Sequence, residues 1–90
     1  MKLRRYWFKF GNLGKFDRLY FGCGVTAYDY DDALSILREC VFRGESVPTI
    51  QSAIEDIDIS TLDPGHVLPN MEVPVYRGVW FPKGCNQARR

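Results

Sequence analysis

The stretch "GCGVTAYDYDDALSILRECVFRG", Gly22 to Gly44, decides the fold, because it joins an extended segment to the clearest helix in the chain. Asp29 is a strong N-cap, and Asp32 stands three residues on, near the capping-box spacing. Asp31 and Asp32 fall in the first turn, where the helix dipole favours negative charge. Ala33, Leu34, Leu37, Cys40 and Val41 follow as an apolar stripe at helical spacing. Arg38 and Arg43 lie toward the C-terminal end, and Gly44 suits the residue that terminates a helix. The pattern predicts one helix at about 30–43. The residues before it, "LYFGCGVTAY", are β-branched and aromatic and predict a strand, with Gly22 and Gly24 marking a bulge or a close backbone approach.

"GCGVTA" also satisfies G-x-G-x-x-A, a tolerated form of the dinucleotide fingerprint. A nucleotide site would need the glycine loop to open into a helix N-terminus that receives a phosphate. Here that terminus already carries Asp29, Asp31 and Asp32, which repel a pyrophosphate. The chain is also too short for paired βαβ halves. The reading is a strand feeding a self-capped helix, with no cofactor.

Working outward, "LRRYWFKF", Leu3 to Phe10, predicts a first strand. Arg4, Tyr6, Phe8 and Phe10 share one face and bring three aromatics to it, so that face is the core side. Trp7 then lies on the other face, under a loop or at a contact. "GNLGKFDR" reads as a loop. Beyond the helix, Ser46 before Val47 and Pro48 predicts a short helix through Ile54. "IEDIDIS" alternates Ile57 and Ile59 with Asp56, Asp58 and Ser60, which predicts a strand with one acidic face. "TLDPGHVLPNMEVP" reads as an ordered loop, and "VYRGVWFP" as the last strand. In it Arg77 and Trp80 suggest a cation–π or cross-strand contact, and core and edge packing accounts for both equally well. Residues 83–90, "KGCNQARR", are expected to fray. The expected fold is α+β, a small antiparallel or mixed sheet of about four strands with one main helix packed on one face. Residues 1–90 form a single domain, with no room for a second.

Net charge is +1 but uneven. Residues 1–18 hold six Lys/Arg against Asp17, a net +5. Residues 19–72 hold Arg38 and Arg43 against ten acids, a net −8. Residues 73–90 hold four cations and no acid, a net +4. Two readings stand: the ends fold against the middle and neutralise it, or the acidic middle faces a partner. No apolar run approaches the ~20 residues of a membrane span, and Lys9 and Gly11 interrupt the N-terminal segment, so neither membrane insertion nor a secretion signal is expected. Cys23, Cys40 and Cys85 are odd in number and far apart, which favours free thiols in a reducing cytoplasm and leaves one bridge with a spare thiol open.

"DYDD" and "EDID" lack the alternation, central glycine and distant glutamate of a calcium loop, so no metal is expected. His66 is the only histidine, and Asp63 beside it begins a general-base arrangement. Cys23, Cys40, Ser60 and Thr61 are nucleophile candidates by elimination alone. A loop histidine that hydrogen-bonds its own turn explains His66 without chemistry, and no catalytic constellation emerges. Arg4, Arg5 and Lys9 beside Tyr6, Trp7 and Phe8 have the ingredients of a single-strand nucleic-acid platform. The acidic middle argues against a general nucleic-acid binder.

"GCGVTAYDYDDAL", "DIDISTLDPGHVLPNM" and "RGVWFP" resemble blocks shared by a group of short bacterial proteins of unassigned function. The resemblance covers nearly the whole chain and brings no catalytic residues with it. It implies a small stand-alone protein of the kind that often serves as an immunity protein or inhibitor. The function expected is non-enzymatic protein binding, with an acidic surface engaging a basic protein such as a toxin nuclease. The residues expected to carry it are Asp29, Asp31, Asp32, Glu55, Asp56, Asp58 and Asp63. The alternative is nucleic-acid binding by the basic aromatic N-terminal strand.

Overall fold

A computed structural model of the chain describes residues 2–84. Four strands form one antiparallel sheet in the order β3-β1-β2-β4, with β1 at Arg4–Phe10, β2 at Cys23–Ala27, β3 at Ile50–Glu55 and β4 at Gly78–Phe81. Strand β1 pairs with both β2 and β3, which makes the most aromatic segment the centre of the sheet. Helix α1, Tyr30–Ile36, continues directly into a π-helical turn at Leu37–Val41. The α+β class, the four strands and the single main helix are as the sequence predicts.

Both faces of the sheet are covered, because β1 alternates two apolar sets. Tyr6, Phe8 and Phe10 point to the helix side and join Val25, Ala33, Leu37 and Phe42 in the larger core. Trp7 points the other way, into a second cluster with Ile57, Leu62, Val67, Trp80 and Phe81. Its cover is the 57–71 loop, which places three aliphatic side chains over the indole pair. Trp7 and Trp80 stack at 5.8 Å, and Phe81 lies 5.6 Å from Trp7. Trp80 and Phe81 share that face because the β2–β4 register slips between Gly24 and Val25, which leaves Trp80 as the extra residue of a bulge.

The two glycines of "GCG" are explained by these rings. A Cβ on Gly24 would stand 2.5 Å from the Trp80 indole. One on Gly22, whose φ is +123°, would stand 2.6 Å from the Trp7 ring and 2.7 Å from the Phe8 carbonyl. The fingerprint spacing is thus a seat for two tryptophans.

Asp29 caps α1, accepting the Asp32 N–H at 2.8 Å. The helix is not regular throughout: the Phe42 N–H reaches back to the Leu37 carbonyl at 3.0 Å, the longer π spacing. Val41 and Phe42, at the end of this widened turn, are both buried.

Three segments differ from the sequence reading. Residues 50–55 form β3, where a short helix was expected over 46–54. Pairing with β1 overrides the local helical pattern. The predicted acidic strand over "IEDIDIS" ends at Glu55: Asp56 turns through φ +58°, and Ile59–Thr61 form a 3-10 turn capped by Asp58. Asp56 and Asp58 therefore do not form one strand face. The loop after β1 is partly ordered into 3-10 turns over Gly14–Leu19, with Phe16 packed edge-on against Phe42 at 4.9 Å. Cys23 is buried and Cys40 half-buried. Of the tail expected to fray, 83–90, the Lys83 N–H donates to the Asn70 carbonyl at 3.2 Å and the Gly84 N–H to the Glu72 carboxylate at 2.9 Å, while residues 85–90, Cys85 among them, lie outside the described residues.

Candidate protein-binding surface

Among the described residues, the segment after the second core carries the most exposed large apolar side chains apart from Tyr20. Val73, Val75 and Tyr76 are 62%, 58% and 70% exposed, within four consecutive positions. Glu72 and Pro74 fix the approach of this segment: the Glu72 N–H donates to the Trp80 carbonyl at 2.7 Å, and the Thr26 hydroxyl donates to the Pro74 carbonyl. Arg77 fixes its exit. Its guanidinium donates twice to the Asp32 carboxylate, once from Nε at 2.9 Å, and lies over the Tyr28 ring at 5.8 Å. The result is an apolar knuckle pinned beside the start of α1, with Tyr28 and Tyr30 half-exposed there. The cation–π contact expected between Arg77 and Trp80 is made to Tyr28 instead, since Trp80 is turned into the second core.

The acids assigned to partner binding divide into three places. Asp29, Asp31 and Asp32 lie at the helix start, next to the knuckle. Asp32 is committed there: it accepts from Arg77 and from the Tyr28 N–H, and the Arg77 bonds above all hold its carboxyl below the usual range. Asp29 is the cap, and Asp31 is exposed with no ion pair among the described residues. Glu55 and Asp56 surround Arg4, at 2.9 and 3.3 Å. Glu55 also accepts the Tyr6 hydroxyl at 3.1 Å, and burial followed by that bond raises the Tyr6 pKa. Asp58 and Asp63 serve turns. Asp58 takes the Ser60 hydroxyl and N–H, Asp63 takes the Gly65 and His66 N–H groups, and these bonds lower both carboxyls. Cations near the two chain ends, Arg4 and Arg77, cross to the acidic middle and neutralise part of it.

The other candidate chemistries also acquire positions. His66 Nδ1 is 3.4 Å from Asp63, and its ring stacks on Phe21 at 4.6 Å. The Ser60 and Thr61 hydroxyls are both spent on Asp58, and Cys23 is buried in the opposite core. Among the described residues no three His, Cys, Asp or Glu side chains converge as metal ligands would. Tyr6, Trp7 and Phe8, the proposed base-stacking aromatics, are 2%, 4% and 0% exposed, so they present no ring to a nucleobase. Among the described residues no helix is long and apolar enough to cross a membrane.

Sequence reasoning missed Tyr28, Val73, Val75 and Tyr76. The signal was present in "EVPVYRG", where Pro74 and Gly78 bracket the apolar residues, but strand propensity drew Val75 and Tyr76 into β4. Comparison with protein-family models, curated proteins and solved structures finds no match to this chain.

Proposed function

We propose that the chain is a non-enzymatic protein-binding protein of the cytoplasm, an inhibitor or immunity-type protein, and that it meets its partner at the knuckle of Val73, Val75 and Tyr76. The observation that carries this reading is the pinned exposure of that segment. Large apolar groups held in water by a fixed backbone have no folding role and lose little entropy when covered. Tyr and Arg at the centre of a patch are also the residue types that dominate binding energy. The rim on the helix side is acidic through Asp29 and Asp31, while Asp32 is balanced by Arg77. A partner with basic groups around an apolar contact, such as a toxin nuclease, fits that arrangement. Glu55 and Asp56 share Arg4, which offsets half of their charge, and Asp58 and Asp63 are engaged in turn hydrogen bonds, so they belong to structure in this reading. Nucleic acid draws less support, because the aromatics of β1 are buried.

The test is co-purification from the native host at two ionic strengths. A partner retained by the wild type, weakened by salt and by Asp31→Asn, and lost with Val75→Ser plus Tyr76→Ala supports the proposal. A partner held equally by the double variant, or recovery of nucleic acid alone, overturns it.

A further inference from the structure

The sheet has two edges, and only one is closed. Outside β4 the Glu72 N–H bonds to the Trp80 carbonyl, so residues of the same chain cover that edge. Outside β3 no strand pairs among the described residues, and Gln51 through Glu55 are exposed. Natural edges are usually guarded by lysine, proline or a bulge. The guard here is a bulge at the start, where the β1 register slips around Gln51, and Ser52, Ala53, Ile54 and Glu55 then run regularly with one terminal charge.

Beside this edge two open cavities share the Lys9 and Phe21 side chains. One, of about 430 Å³ and at the end of β1, is lined by Lys9, Phe10, Leu13, Tyr20, Phe21 and Gln51. The other, of about 330 Å³, is lined by Lys9, Phe21, Trp7, Ile54 and Val67, with Asp63, whose carboxylate is taken by the Gly65 and His66 N–H groups, at its margin. Lys9 and Phe21 are common to both, and Lys9 is exposed with no ion pair among the described residues. Lys9 stands directly opposite Ser52 in the β1–β3 register. A serine is short, so the lysine stem has room to pass over it toward the open edge. Strands lie about 4.8 Å apart, which places a fifth strand within joint reach of a lysine and an acidic side chain. Along such a strand, side chains two residues apart are roughly 6.6 Å apart on one face, matching a central anion at Lys9 with an apolar group on either side.

We propose that β3 accepts an extended segment of a partner protein as a fifth strand, and that the segment carries an acidic residue for Lys9 flanked at i±2 by apolar residues for the two cavities. Backbone bonds supply the affinity and the Lys9 seam supplies the selection. This surface is separate from the knuckle, so either assignment can fail alone.

The probe is the blocked heptapeptide TVTETVT, whose Val, Glu and Val share one face, titrated against the labelled full chain by amide NMR. Millimolar binding is expected, with shifts at Ser52–Glu55. Lys9→Glu should weaken this peptide roughly five- to tenfold and favour TVTKTVT by a similar factor, the size of an exposed attraction turned into repulsion. Restored binding by the charge-swapped pair shows that the variant is folded. The proposal is overturned by no shift in β3, by shifts indifferent to the charge swap, or by shifts centred on Tyr28 and Tyr76. Self-association of the chain through β3 that the peptide does not displace also overturns it, since the occupant is then a second copy.

Discussion

Gly24 and Trp80 show how closely one residue can be specified by another. With the indole 2.5 Å from where a Cβ would stand, Gly24→Ala must displace the ring or the strand. An overpacking cost of roughly 1–3 kcal/mol is expected, read as a lower denaturant midpoint with an unchanged slope. Trp80 also carries a buried Nε1 with no acceptor among the described residues. Trp80→Phe discards that unpaired donor along with some volume, so its cost should fall well below the ~3–5 kcal/mol of Trp80→Ala. Equal losses in the two variants would show that the indole N–H is satisfied. Asp29→Ala should cost ~0.5–2 kcal/mol by removing the cap. If stability is untouched and partner binding collapses, Asp29 belongs to the interface.

Among the elements, the knuckle depends on α1 through Arg77. Removing the guanidinium leaves Val73, Val75 and Tyr76 with the Thr26 and Glu72 bonds alone. Arg77→Met should therefore speed amide exchange across residues 73–77 and weaken the partner, while β1 and β2 stay protected. Unchanged exchange there would mean that the β4 side alone sets the segment. The helix itself was legible from its cap and stripe, because both are local. Its π turn was not, because the reward for burying Val41 with Phe42 lies in aromatic neighbours, Phe10 and Phe16, that come from other parts of the chain.

For the whole molecule, the lowered carboxyls give the sign of the acid response. Asp32, Asp58 and Asp63 hold protons less readily when folded than when unfolded. Their contribution is complete above the unfolded carboxylate pKa, about 3.9, and is lost as pH falls through that value toward the folded ones. Stability should be level from about pH 5 to 7 and decline below about 4. The gap between wild type and Arg77→Met should close over the same acid range, because Asp32 is then protonated in both. A gap that persists to low pH would assign the loss to packing of the Arg77 stem.

The α+β class, the strand through β1, the capped helix and the split between Tyr6/Phe8/Phe10 and Trp7 were all determined by the sequence. Each rests on period, propensity or a cap within a few residues. Tertiary structure alone decided the rest. Residues 50–55 became a strand because β1 offered an unpaired edge. "IEDIDIS" lost its strand because Ile57 was needed over Trp7. Most of the acids that looked like one free surface are engaged by the turns they cap and by the arginines that cross to them. Val75 and Tyr76 were left in water because the chain must round the end of β4 before Trp80 can enter the second core. All of these turn on contacts between residues distant in sequence, whose energies no local window contains.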